Sequence, residues 1–249
     1  MAATVTQLSL AVAVAILAAP VATAAQQAGN VHRVGYLASS SATGFPAGGE
    51  AFRQGLRELE RVEGKNIIID YRFAEGKHDR LAGLAAELAR LKVDVIVAAG
   101  ATPSAVAAKK ATRTIPIVMI GVSDPVGLGL VASLARPGGN VTGLSYSVCV
   151  ETFGKQLELF KETAPKVRHV AILSNPANPS HALVTRGLKV AARSLGVRLQ
   201  FLEARDPNES DSAFAAMAKA RAGALLVVGD AMFALHRARL AARARGLYQ

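Results

Sequence analysis

The sequence predicts an α/β protein of two Rossmann-like lobes with parallel sheets, the second lobe incomplete. Three observations carry that expectation. After residue 30, short β-branched runs alternate with amphipathic helical stretches, as in a parallel sheet covered on both faces. The alternation occurs twice, Val34 corresponding to Val170 and Ile96 to Leu226 at nearly constant spacing. Hydrophobic residues make up 51% of 249 positions, enough apolar material for a core in each unit.

In order, the first lobe reads as strand Arg33 to Ala38, the polar loop Ser39 to Gly44, and a helix from about Ala47 to Arg61 with Phe52, Leu56 and Leu59 on one face. Gly64-Lys65-Asn66 stops that helix, and Ile67 to Tyr71 forms a second strand. Leu81, Leu84, Leu88 and Leu91 recur at helical spacing before strand Val93 to Val97. A helix from Pro103 to about Thr112 and strand Ile115 to Ile120 follow, and Arg136 to Gly143 reads as a turn entering a crossover strand. The second lobe repeats the scheme: strand Val167 to Leu173, helix His181 to Ser194, strand Val197 to Leu202, helix Ser212 to Arg221 and strand Ala224 to Val228. It closes on one Arg-rich helix from about Phe233 to Arg245, with Leu235 and Leu240 as its large apolar anchors. Four strand candidates precede the crossover but only three lie in the second lobe, so lobe two is expected to be partial. The expected division is 1–24 as a signal peptide, 31–145 as lobe one and 146–249 as lobe two.

Composition excludes several classes. One cysteine, Cys149, leaves no internal disulfide and no multi-Cys zinc site, and it reads as a buried inert thiol. The net charge of +11 favours acidic partners, yet the absence of Trp and the 5% aromatic content give little to stack on bases, so nucleic acid is not expected as a partner. Arg237, Arg239, Arg243 and Arg245 surround their helix rather than forming a stripe, and read as a solvated or unpartnered face rather than a nucleic-acid site. The five histidines show no H-x-x-x-H or H-E-x-x-H grouping, so no metal site is expected. No G-x-S-x-G elbow is present, and no catalytic residues are assigned. Gly127-Leu128-Gly129-Leu130-Val131-Ala132 fits G-x-G-x-x-A, but four residues separate it from the preceding strand and no strand-end acid follows; no cofactor is expected.

The remaining polarity lies in loops at the carboxyl ends of strands, where open α/β sheets bind ligands. Candidate ligand contacts are Ser39, Ser40 and Ser41; Gly100, Ala101, Thr102 and Ser104; Ser123 and Asp124; Asn175 and Asn178; and Asp230. Thr102 is expected to cap the helix that follows, with Pro103 at its first position. For each residue the competing reading is an ordinary strand–helix turn with its N-cap, because Ser, Thr, Asn and Asp are the capping residues.

Five runs carry a resemblance to a known family: Val62 to Asn66, Ala111 to Val118, Ser123 to Gly127, Leu134 to Ser145, and Gly154 to Leu159. Over residues 31–240 the chain resembles the ABC transporter substrate-binding family that includes tryptophan-type binding proteins. The run Arg136-Pro137-Gly138-Gly139-Asn140-Val141-Thr142-Gly143 is its most specific part. Glu60-Arg61 stands where members usually carry Gly-Tyr. The resemblance implies a type I periplasmic-binding-protein fold, a small organic ligand such as an amino acid in the inter-lobe cleft, and delivery to an ABC permease in the inner membrane. It also implies a lobe two that relatives extend further. A Rossmann-like nucleotide-dependent enzyme is the alternative from another class. A transcriptional regulator with the same two-lobed effector domain would need a helix-turn-helix where the chain has an uncharged apolar segment.

That segment, Leu8 to Ala19, precedes Pro20 and the small-residue motif Ala22-Thr23-Ala24. An apolar core followed by A-x-A reads as a cleaved secretory signal and gives an expected periplasmic location; Met1 to Gln7 carries no Lys or Arg, and an uncleaved membrane anchor is the alternative reading. Intact-mass analysis of exported protein is expected to show loss of the first 24 residues, and Met1 retained on exported protein would refute this.

Overall fold

The computed structural model describes residues 31–43, 46–146 and 150–247. The expected signal segment, Gly44 and Cys149 lie outside them. The elements in order are β1 (His32–Ala38), α1 (Pro46–Glu58), β2 (Ile67–Phe73), a 3-10 turn (His78–Arg80), α2 (Leu81–Arg90), β3 (Val95–Ala99), α3 (Thr102–Ala111), β4 (Ile117–Ser123) and β5 (Val141–Tyr146). Then come α4 (Val150–Thr163), β6 (His169–Ser174), α5 (His181–Leu195), β7 (Arg198–Glu203), α6 (Pro207–Lys219), β8 (Ala224–Val227), α7 (Ala231–Leu235) and α8 (Arg237–Leu247). Among the described residues no helix is long and apolar enough to cross a membrane.

Every strand pair is parallel. The first sheet has order β2-β1-β3-β4-β5 and the second β7-β6-β8. The internal repeat is visible in the register: Val34 of β1 faces Val95, and Val170 of β6 faces Ala224. Parallel strands need crossovers on their faces, so each central strand must be apolar on both sides. In β6, Val170 and Ile172 enter one core with Leu157, Leu188 and Val197, while Ala171 and Leu173 enter another with Phe214, Met217 and Phe233. In β1, Leu37 packs with Leu81, Leu88 and Ile96 beneath α2 and α3, and Val34, Tyr36 and Ala38 face the α1 side with Phe52 and Leu56.

Several boundaries differ from expectation for identifiable reasons. α1 ends at Glu58, so Leu59 lies outside it and is 72% exposed, followed by the left-handed turn at Glu60 (φ 58°). β3 begins at Val95 rather than Val93, because Asp94 ties the chain to the start of β1: Arg33 N–H donates to Asp94 Oδ2 at 2.7 Å. α6 starts five residues earlier than expected. Asp206 caps it, accepting from the Asn208 and Glu209 amides at 2.7 and 2.9 Å, with Pro207 at the first position. The single Arg-rich terminal helix is two helices that turn at His236. Met232 and Phe233 are buried on α7, Leu240 is the buried anchor of α8, and Leu235 is only half-buried. The arginines of α8 are exposed, as a solvated face requires, and two of them also pair: Arg239 Nη2 and Arg243 Nε bind Asp211 of α6 at 2.5 and 3.1 Å.

The Arg136 to Gly143 run does structural work. Asn140 Nδ2 donates to the carbonyls of Thr112 and Ile115 at 3.3 and 2.8 Å, pinning the turn to the end of α3 as the chain enters β5. Gly143 sits at φ 132°, and a Cβ there would lie 2.1 Å from Met119 O of β4. Only glycine lets β5 approach β4 this closely. Gly143→Ala is expected to cost about 2–4 kcal/mol through the clash and the disallowed φ, read as a lowered urea midpoint. An unchanged midpoint would refute it.

Candidate functional site

The order β2-β1-β3-β4-β5 reverses direction between β1 and β3, and the crevice beyond the carboxyl ends of those strands is where such sheets take ligands. A cavity of about 530 Å³ occupies this place. Lobe one contributes Ser40 after β1, Gly100 and Ala101 after β3, and Ile120 and Gly121 from β4; lobe two contributes Gly229, Asp230, Ala231, Ala234, Leu235 and Arg237. A larger cavity of about 680 Å³ lies wholly within lobe two, along β8 between α4 and α8, and is lined mainly by apolar side chains such as Phe160, Val167, Leu225 and Leu240.

Of the residues expected from sequence, Ser40, Gly100, Ala101 and Asp230 line the inter-lobe cavity. The others brace the loops around it. Ser39 and Ser104, both fully buried, share a hydroxyl–hydroxyl bond at 2.7 Å that ties the loop after β1 to α3. Ser41 pairs with the Thr43 hydroxyl at 3.1 Å. Thr102 is not the cap expected of it: it is the first residue of α3, and its Oγ1 accepts from Ser123 N–H at 3.2 Å, joining the ends of β3 and β4. The cap position falls to Ala101, held at φ 153°, ψ 170°, a region nearly reserved for glycine. Asp124 accepts from the Gly127 amide at 2.9 Å, an ordinary turn contact. The run Gly127 to Ala132 lies in irregular chain with no helix behind it, so the geometry that phosphate binding needs is missing there.

The lobes are joined through Asp230. Its side chain has no solvent exposure and accepts from four groups. Asn175 Nδ2 donates to Oδ1 at 3.1 Å, Asn178 Nδ2 to Oδ2 at 2.9 Å, the Met232 amide to Oδ1 at 3.0 Å, and His78 Nε2 lies 2.9 Å from Oδ2. His78 belongs to lobe one, on the turn after β2, and its side chain is 4% exposed. Residues 74–76 brace that turn against the loop after β1, with Gly76 N–H donating to Ser39 O at 2.8 Å. Gly76 also meets α7 directly, since a Cβ there would lie 2.9 Å from Leu235 Cδ1. His181 completes the cluster. Its Nδ1 accepts from the Asn175 amide at 2.9 Å, so the proton sits on Nε2, which donates to Gly229 O at 3.1 Å. Burial pushes the His181 imidazole below its usual range, against the opposing pull of Gly229 O and Asp230.

The candidate set read from the sequence lacks His78, His181, Ile120, Ala231, Ala234, Leu235 and Arg237. Small apolar residues carry no motif, and His78 stands 152 residues from its partner. Among the described residues no group of three or more His, Cys, Asp or Glu is arranged to hold a metal ion.

A family model described as "ABC transporter substrate binding protein" matches residues 41–236. The chain belongs to this family. A "Tyrosine-binding protein" from Clostridioides difficile (strain R20291) is 39% identical over 126 residues, covering 51% of this chain but only 35% of that protein; the match thus spans about a third of the relative's length. A solved "conserved domain protein" from Vibrio cholerae is 31% identical, with a TM-score of 0.77 over 87% of this chain and 72% of that one. An ABC domain from Streptococcus pneumoniae in complex with L-Trp, 24% identical, shares the fold with a TM-score of 0.73, over 88% and 72% of the two chains. The architecture is that of type I periplasmic binding proteins, as the resemblance implied.

Burial alone would raise the Asp230 carboxyl, but the His78 hydrogen bond and charge, with Asn178 and the Met232 amide, outweigh it and hold the group at about 2, below its ordinary 3.8. A pKa lowered on folding stabilises the native state above the ordinary value, and that contribution is lost as pH falls through about 4 toward 2. It is worth on the order of 2 kcal/mol at neutral pH. Urea titrations are expected to show Asp230→Asn less stable than wild type at pH 6, with the gap narrowing toward pH 3. Parallel pH profiles would refute the assignment.

Proposed function

We propose that this protein is an exported solute-binding component of an ABC importer. It captures a small organic ligand in the cleft between lobe one (31–145) and lobe two (146–249) and hands it to a permease in the inner membrane. The observation that carries the reading is the cavity at the reversal point of the first sheet, walled from both lobes and of a size for a small molecule. Family membership supports it, and the names of two similar proteins, one tyrosine-binding and one solved with L-Trp, make amino acids the first ligands to test. Ser40, Gly100, Ala101 and Asp230 are the proposed cleft residues from the sequence, joined by Ile120, Leu235 and Arg237 from the geometry. In this reading the protein performs no chemistry; the lobes enclose the ligand and release it.

A ligand that binds only the folded state raises its stability by mass action. At a hundredfold excess over Kd the gain is about 2.7 kcal/mol, which for a chain of this size moves Tm by about 5–10 °C. A thermal-shift screen of amino acids and small carboxylates is expected to yield such a shift, and one that disappears when Ala101→Trp fills the cleft. A shift produced by nucleotides alone would favour the enzyme reading instead.

A further inference from the structure

We infer that the cleft selects an apolar carboxylate that lacks an α-ammonium group. This rests on the cleft being the ligand site, as proposed above, and concerns the charge the ligand must carry.

The charged groups lining the cavity among the described residues are Asp230 and Arg237. Asp230 is spent. Its side chain has no exposed surface, and four protein donors from both lobes already occupy its two oxygens. An ammonium could reach it only by displacing His78 or the asparagines, breaking the contact that joins the lobes. An ammonium enclosed here would lose its water and gain no counter-charge, which is strongly unfavourable.

A carboxylate meets the opposite situation. Arg237 gives one hydrogen bond, from Nη1 to Ala234 O at 3.3 Å, and makes no ion pair with a carboxylate among the described residues. Its planar fork suits a carboxylate with two parallel hydrogen bonds. The chain as a whole carries +11, so the field also favours an anion. Ile120, Ala231, Ala234 and Leu235 make most of the remaining wall apolar, Gly100 and Ala101 add no bulk, and Ser40 adds one neutral hydroxyl but no counter-charge for an ammonium. The ligand matching these walls has an apolar body, one carboxylate and a net charge of −1.

Matched pairs that differ only by the α-ammonium test this by calorimetric titration: 4-methylpentanoate against L-leucine, 3-phenylpropionate against L-phenylalanine, and 3-(4-hydroxyphenyl)propionate against L-tyrosine. In every pair that binds, the des-amino member is expected to be tighter by about tenfold or more. Arg237→Gln, at an exposed position, is expected to weaken that member about tenfold while leaving Tm of the free protein unchanged. An amino acid binding as tightly as its des-amino partner, or a Kd indifferent to Arg237→Gln, overturns the inference while the cleft reading stands. If no member of any pair or of the wider screen binds, the cleft reading itself fails and this inference with it.

Discussion

A carboxylate withdrawn from water keeps its charge only where protein donors replace the lost solvent, and Asp230 obtains those donors from three separate segments. Asn175 and Asn178 hold the loop after β6, the Met232 amide starts α7, and His78 reaches across from lobe one. Much else follows from this one group. It sets where α7 begins, and α7 with the start of α8 supplies the lobe-two wall of the cleft through Ala231, Ala234, Leu235 and Arg237. It also brings the lobes close enough for Gly76 to lie against Leu235 and Met232, a contact with no room for a side chain.

Parallel strands impose the second constraint. Every strand points the same way, so the loops that follow them gather at one edge of each sheet, and the two edges meet at the cleft. Most of the polar side chains in those loops are consumed in holding the loops still: Ser39 on Ser104, Thr102 on the Ser123 amide, Asp124 on Gly127. The surface left at the proposed cleft is consequently mainly apolar, with its charge set by Asp230 and Arg237. This division of labour suits a binding site that must be rigid, because loops braced by buried hydrogen bonds lose little further entropy when a ligand arrives.

Much of the architecture was legible beforehand. The alternation of strands and helices, the repeat linking Val34 to Val170, and the turn before β5 all follow from burial periodicity and from Pro and Gly punctuation, which are local properties. Departures arose where a polar tie outweighed the apolar pattern. Asp206 drew the start of α6 back by five residues, and Asp94 held β3 off until Val95. The site was legible as a set of loops but not as a set of contacts: of twelve residues named there, four reach the cavity.

By itself, then, the sequence determined the α/β class, the two parallel units and the loops that would border a ligand, because hydrophobic periodicity and turn chemistry act over a few neighbouring residues. Which polar groups face one another was decided only in the tertiary structure. His78 and Asp230 are 152 residues apart, and Arg237 carries no signal distinguishing it from the arginines beside it that pair with Asp211. Hydrogen bonds and ion pairs depend on separations of about 3 Å and on direction, and only the packing of the two lobes brings such groups within that range.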